Sequence, residues 1–327
     1  MIMSRDSKID LLKGLGILLV VLGHSISTLT QPINQVILSF HMPLFFFCAG
    51  LTLKPVATTS KIVFLFKKLK SILLPQCIMG LLALVYDGVF LYLLTHKIGN
   101  TELSIVAKGW FTQWFLPTLF MCNVVWIGVN LLNIDLYKKK TVFCLLLGSV
   151  FAGYVTGNFA ENTIVSIEKV PTAFMFVVLG FYTKNYLWDK LNILTVKARA
   201  TTACLFVVAL TALIWFAMVN EPVEMYRNYY GRYGLFLITS ILGILISVIA
   251  VFLINRNTFI ELFGRNSIVV FVTHFSVVKF VSSVVSNVFE EFGIDFLASY
   301  VTFGIVVCIE LVIIYIFIRN SSGKEKL

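Results

Sequence analysis

Ten long apolar segments constrain the fold of this chain more than any other feature of its sequence. A run of about 20 mostly apolar residues is long enough for an α-helix to cross the hydrocarbon core of a bilayer. With 59% hydrophobic and only 13% charged residues, the chain has too few polar groups to cover a water-soluble surface. We therefore predict an integral membrane protein. Its spans lie near residues 9–29, 36–53, 71–95, 112–132, 141–157, 171–187, 199–219, 233–254, 267–288 and 296–318.

The predicted fold class is all-α, a polytopic membrane protein of about ten transmembrane helices. Lipid offers the backbone no hydrogen-bond partners, so the spans should be helical, and the alternating pattern of barrel strands is absent. No segment is long enough for a separate soluble domain, and we expect residues 1–327 to form one membrane domain. The six cysteines lie in apolar stretches without metal or disulfide spacing, which predicts small buried hydrophobic side chains.

The basic residues alternate between the two sides of the predicted membrane. With the N-terminus in the cytoplasm, 20 of the 26 Lys and Arg residues fall on the inner side. This bias is typical of cytoplasmic loops, supports an even number of spans, and places both termini in the cytoplasm. It also accounts for the net charge of +10 without nucleic acid, which we exclude as a partner.

Residues 61–70 (KIVFLFKKLK) mix apolar side chains with four lysines, among them Lys67 and Lys70. This pattern is typical of a helix that lies in the inner interface of the bilayer. Two interpretations remain open: anchoring to anionic lipid headgroups, or binding of a phosphate-bearing ligand from the cytosol.

Ionisable residues inside spans are costly and are therefore functional candidates. In the first span, Lys13 precedes His24 by eleven residues, which is about 16 Å along a helix and about three turns. One helical face would then carry a cation at the inner mouth and an imidazole in the outer half of the membrane. Asp10 and Lys13 are spaced to form an ion pair. The alternative is a snorkelling lysine and a histidine bonded to a neighbouring helix.

His41 begins the second span (FHMPLFFFCAG), and a short turn should place it at a depth similar to that of His24. Imidazole suits proton transfer near neutral pH. The sequence has no serine or cysteine nucleophile motif such as GxSxG, and a histidine pair without a recognisable third ligand argues against a metal site.

His274 lies in FGRNSIVVFVTHF, roughly 12 Å above the inner end of the ninth span, where Arg265 and Asn266 stand. His274 either makes a helix-packing hydrogen bond or lines a central cavity. Trp114, in GWFTQWFLPTLF, is either an interfacial anchor or a cavity residue. Glu310 and Asp87 are lone intramembrane carboxylates whose role the sequence leaves open.

Four segments together resemble the acyltransferase 3 family of bacterial membrane O-acyltransferases. They are, in order, IDLLKGLGILLVVLGHS, FHMPLFFFCAG, WFLPTLF and FGRNSIVVFVTH. The resemblance extends from residue 8 to about 275 and is strongest to the fucose 4-O-acetylase-like branch, which acetylates sugars of surface glycans. Lys13 and His24 match a family pattern of a basic residue and a histidine, and Lys67 and Lys70 stand where many members have arginines. The fused extracytoplasmic domain of some members is not expected here.

The resemblance implies an enzyme that transfers acetyl from cytosolic acetyl-CoA, as co-substrate, to a sugar hydroxyl of a surface polysaccharide or an undecaprenyl-linked precursor. It would lie in the bacterial cytoplasmic (inner) membrane and need no metal. His24 would be the general base, and His41 would orient it or stabilise the oxyanion; an acyl-histidine intermediate is a variant. The resemblance implies that basic residues bind the donor, and a second set of residues contains the candidates for contacting the substrate or lining the cavity. These sets are Lys13, Lys67, Lys70 and Arg265 for the donor, and Asp10, Trp114, Asn266 and His274 for the cavity.

The sequence leaves two other functions open. Intramembrane charges also mark translocation paths, which would indicate a secondary transporter or a flippase for glycans or lipid-linked sugars. However, the sequence shows neither inverted repeats nor paired broken helices. A non-catalytic sensor or scaffold is the other alternative, and the histidine constellation argues against it.

Overall fold

The computed structural model describes residues 6–26, 31–54, 61–78, 80–81, 114–132, 135–160, 166–292 and 295–322. Within these ranges the chain is helical and forms no strand, apart from one isolated bridge between Glu224 and Tyr229. The predicted all-α fold class is confirmed.

The helices of the described ranges have the following bounds. They are α1 (Ser7–Ser25), α2 (Pro32–Leu38), α3 (His41–Leu51), α4 (Lys61–Lys68), α5 (Phe115–Leu131), α6 (Lys139–Phe159), α7 (Val170–Tyr186), α8 (Trp188–Lys197), α9 (Arg199–Val219), α10 (Tyr233–Ile254), α11 (Thr258–Arg265), α12 (Ser267–Phe292) and α13 (Asp295–Ser322). A π-helical turn, Leu69–Leu73, follows α4, and 3-10 turns occupy Ile167–Lys169 and Met225–Arg227.

Six described segments are long and apolar enough to cross a membrane, so the chain is a membrane protein. They are Pro32–Leu51, Lys139–Phe159, Arg199–Val219, Tyr233–Ile254, Ser267–Phe289 and Leu297–Arg319. Each coincides with a predicted span. Helix α5 is apolar but shorter, and α1 carries three charged residues. The predicted span 71–95 lies mostly outside the described residues. The total of ten spans and the cytoplasmic termini stay predictions.

Burial separates the helices of the core from those on the surface. In α6 and α9 only 17% of the most apolar window is buried, against 56% in α10. Large apolar side chains such as Phe151 and Trp215 are exposed, as expected for surfaces that contact lipid. The prediction that all cysteines are buried is wrong for Cys77, Cys144, Cys204 and Cys308, which are exposed free thiols, because apolar spans also carry lipid-facing positions.

The chain divides into two compact units. The first contains Met1–Thr52, Leu179–Met225 and Tyr229–Leu327, and the second contains Leu53–Val178 and Tyr226–Asn228. In the first unit, α1 is central and contacts α2, α3, α10, α11, α12 and α13. Helix α10 approaches the α2–α3 turn closely, since a Cβ on Gly243 would lie 2.1 Å from the Phe40 ring. The Ser240 hydroxyl donates to the Ser39 carbonyl there at 2.8 Å.

Polar contacts fasten the start of α1 within the first unit. Asp6 caps the helix by accepting from the Lys8 backbone N–H at 3.1 Å. The same carboxylate accepts from Lys184 Nζ at 2.6 Å and from Trp188 Nε1 at 3.1 Å. Lys8 Nζ donates to Asn255 Oδ1 at 2.5 Å, just beyond the end of α10. These bonds join the first helix to residues far along the chain.

In the second unit, α4 and its π-helical turn pack against α5. The Trp126 indole N–H donates to the Lys54 carbonyl at 3.0 Å. Ile62 and Phe66 of α4 are exposed, as are Lys67 and Lys70. This mixture of exposed apolar and cationic side chains fits the predicted interfacial helix.

Candidate active site

The site begins at a close crossing of α1 and α11. A Cβ on Gly264 would lie 1.7 Å from the Asp10 carbonyl oxygen, and a Cβ on Gly14 would lie 2.0 Å from the Ile260 carbonyl oxygen. Real Cβ contacts of this length do not occur, so both positions require glycine for the two backbones to touch. Helix α12 follows α11 after one residue. The crossing therefore fixes the position of α12 along α1.

This crossing brings His24 and His274 to the same level. Each histidine follows its crossing glycine by ten residues, Gly14 in one case and Gly264 in the other. On α1 ten residues rise about 15 Å, and α12 runs beside α1 far enough for the two rings to meet. Helix α12 starts where α1 is already several residues long, which places the two rings side by side.

The two imidazoles form a contacting pair. Their ring centroids lie 5.1 Å apart with an interplanar angle of 49°, and the His24 ring also meets the edge of Phe275 at 5.8 Å. The His24 side chain is exposed. His274 is only 4% exposed. The pair therefore has one accessible ring and one buried ring behind it.

The hydrogen bonds of His274 define its tautomer. Nδ1 lies 3.0 Å from the Val270 carbonyl oxygen, and because a carbonyl only accepts, the proton of the neutral ring is on Nδ1. Nε2 then carries a lone pair. This atom is buried and has no hydrogen-bond partner among the described residues.

His41 completes a cluster of three histidines. It begins α3, is 6% exposed, and its Nδ1 lies 2.8 Å from the Ile37 carbonyl oxygen. It lies near both His24 and His274, but within the described ranges it makes no ring contact with His24. In those ranges no group of three or more His, Cys, Asp and Glu side chains is arranged to hold a metal ion.

A buried carboxylate joins α12 to α13 beside the pair. The Thr273 hydroxyl lies 2.8 and 3.0 Å from the two oxygens of Glu310 and 2.9 Å from the Val269 carbonyl oxygen. Glu310 is fully buried. Because Thr273 precedes His274, this bond holds α12 at the residue next to the histidine.

Arg265 is the ion-pair partner of Asp10. Arg265 Nε lies 3.4 Å from Asp10 Oδ2, and its Nη2 lies 3.2 Å from Glu261 Oε2. Both carboxylates are buried, whereas the arginine side chain is 50% exposed. The expected Asp10–Lys13 pair is therefore replaced by a contact across the helix crossing. Lys13 is half-buried on α1 and has no ion pair in the described part of the chain.

The whole of this site lies inside one family match. The profile of an acyltransferase domain matches residues 6–318 of the chain. The chain belongs to the acyltransferase 3 family. The family indicates a membrane acyltransferase, which agrees with the apolar spans. No curated protein and no solved structure matches the sequence.

The remaining predicted site residues of this acyltransferase lie at known places in the fold. Asn266 is the residue between α11 and α12, and its side chain donates to the Leu262 carbonyl at 2.8 Å. Lys67 lies in α4 and Lys70 in the π-helical turn that follows it, and both side chains are exposed. Trp114 is the residue immediately before α5. These last three belong to the second unit, and their part in the site stays a prediction.

Three features of the acyltransferase site were missed from the sequence. The first is the pairing of His24 with His274, for which the equal glycine-to-histidine spacing was an available signal. The second is Glu261, a buried carboxylate one turn before Arg265 on α11. The third is the partner of Glu310, since a threonine within a span gives no sign of which carboxylate it meets.

Proposed function

We propose that this acyltransferase moves an acetyl group from cytosolic acetyl-CoA to a sugar hydroxyl of a surface polysaccharide or its lipid-linked precursor. It does so in the bacterial cytoplasmic membrane, as a member of the fucose 4-O-acetylase-like branch. The observation that carries the proposal is the accessible His24 ring in a cluster of three intramembrane histidines. Ionisable groups are kept inside a membrane protein when function needs them.

The chemistry requires one base and no protein nucleophile. His24 accepts the proton of the acceptor hydroxyl while the oxygen attacks the thioester carbonyl. The C–O bond forms, the tetrahedral intermediate collapses with cleavage of the C–S bond, and the imidazolium returns its proton to the departing thiolate. His41 lies close enough to contribute electrostatically, and we assign it the stabilisation of the developing charge.

The donor is held by cations. Lys13 lies eleven residues before His24 on the same helix and has no ion pair in the described ranges, so its ammonium is available for a phosphate. Arg265 is half-exposed and keeps further N–H donors beyond its two carboxylate contacts. Lys67 and Lys70 are proposed as additional phosphate contacts.

The role of His24 is tested by the substitution His24→Ala, with His96→Ala as a matched control. General-base catalysis contributes about 10²- to 10⁴-fold, so His24→Ala should remove the O-acetyl signals from the NMR spectrum of extracted polysaccharide. The control should keep them. Full acetylation in His24→Ala cells, with the protein present in the membrane, would refute the assignment.

The role of the α4 lysines is tested by binding. Replacing Lys67 and Lys70 by Gln should weaken acetyl-CoA binding by about threefold to thirtyfold, because each exposed ion pair contributes up to about 1 kcal/mol. The same change at Lys138 and Lys139, an exposed pair in the same unit, should have no effect. Unchanged affinity in the first variant would leave α4 as a lipid anchor.

A further inference from the structure

We propose that His274 is a positioning residue for His24, one that accepts a hydrogen bond from the imidazolium formed during acyl transfer. The inference rests on the proposed function and adds a residue to its mechanism. It comes from the placement of one buried ring behind one accessible ring, with centroids 5.1 Å apart.

The burial of the two rings assigns their different roles. His24 is exposed and can meet a substrate, whereas His274 is 4% exposed and its Nε2 is buried. A substrate oxygen therefore reaches His24 and not His274. The buried ring can only act through the ring in front of it.

The hydrogen bond that His274 already makes leaves its Nε2 as an acceptor. Its Nδ1–H is committed to the Val270 carbonyl at 3.0 Å, which leaves Nε2 with a lone pair. A buried acceptor without a donor is destabilising. The nitrogen of neutral His24 that does not face the substrate carries the ring hydrogen, and this N–H becomes a stronger donor to Nε2 of His274 once the ring has taken the hydroxyl proton. One N–H returns its proton to the thiolate, and the other donates to Nε2 of His274, so no proton is gained or lost by His274.

The surroundings of His274 hold it in place for this role. The Thr273–Glu310 hydrogen bond ties α12 to α13 at the preceding residue. The glycine crossing of α1 and α11 sets the level of the two rings. The arrangement has the logic of a catalytic base oriented by a second buried group.

The test compares two nearly isosteric substitutions, His274→Gln and His274→Met. Glutamine places an acceptor near the position of Nε2, whereas methionine fills similar space with a weak one. In membranes that contain the full chain, radiolabelled acetyl-CoA and the surface polysaccharide, we expect His274→Met to lower kcat by about 10- to 100-fold with KM for acetyl-CoA unchanged. The kcat of His274→Gln should lie at least midway, on a logarithmic scale, between the kcat of His274→Met and that of the wild type. Ser283→Ala, on the same helix, is the control.

Each outcome supports or overturns the inference. Equal rates for the Gln and Met variants, or a loss that appears in KM alone, would assign His274 a packing role. If His274→Met does not fold, His274→Asn is used in its place. The asparagine side chain is too short to bring its acceptor to the position of Nε2, so the same loss of kcat is expected. A wild-type chain that transfers no acetyl group overturns the proposed function and this inference with it, whereas an active wild type with indifferent variants overturns the inference alone.

Discussion

Replacing Gly264 by alanine tests the crossing that brings the two histidines together. The added Cβ would lie 1.7 Å from the Asp10 carbonyl oxygen, and ordinary contact begins at 3.4 Å. The two helices must therefore separate by about 1.7 Å, the difference between these distances. Overpacking of this kind typically costs about 1–3 kcal/mol, against less than about 1 kcal/mol gained from the higher helix propensity of alanine.

The same displacement is expected to reach the site, since α12 follows α11 after one residue. A misplacement of about 1 Å can lower a catalysed rate by about 10²-fold. We expect Gly264→Ala to lower the unfolding temperature in detergent and to lower acetyl transfer by about that factor. Gly304→Ala on α13, where a Cβ meets nothing within 4 Å, should leave both unchanged or raise stability slightly. Wild-type stability and rate in Gly264→Ala would refute the tight crossing.

Two further predictions concern the ion pair and the orientation. Arg265→Gln leaves the buried carboxylates of Asp10 and Glu261 without this cation and should lower the free energy of unfolding by about 1–3 kcal/mol. Adding Asp10→Asn to this variant should restore part of the lost stability. No restoration would contradict the pairing of Asp10 with Arg265. With the N-terminus in the cytoplasm, Arg227 faces outward, so Arg227→Cys in a chain without its native cysteines should react with an impermeant maleimide added to intact cells. Lys190→Cys should not react, and the reverse pattern would overturn the orientation.

The spans could be predicted from the sequence because hydropathy is a local property. Segments 199–219 and 233–254 coincide with α9 and α10 at both ends. The all-helical class follows from the same argument, since a helix satisfies its backbone within the segment itself. The family also followed from short motifs, and the match over residues 6–318 confirms it.

Partner choice could not be predicted in the same way because it depends on distant parts of the chain. Asp10 has Lys13 one turn away, yet it pairs with Arg265 on another helix. The contact between His24 and His274 could not be predicted either, because it depends on where α11 crosses α1. The approximate depth of His24 could be predicted from α1 alone, whereas the exposure of its ring could be seen only in the structure.

The contacts of α1 also bear on how the protein is made. Lys8 and Asn255 are 247 residues apart, and at about 5–20 residues per second the ribosome takes roughly ten to fifty seconds between them. Throughout that interval α1 carries Asp10 and Lys13 before Arg265 has been translated. A nascent chain that stalls before α11 would leave this charged helix to the insertion machinery, which makes early termination products natural targets for membrane quality control.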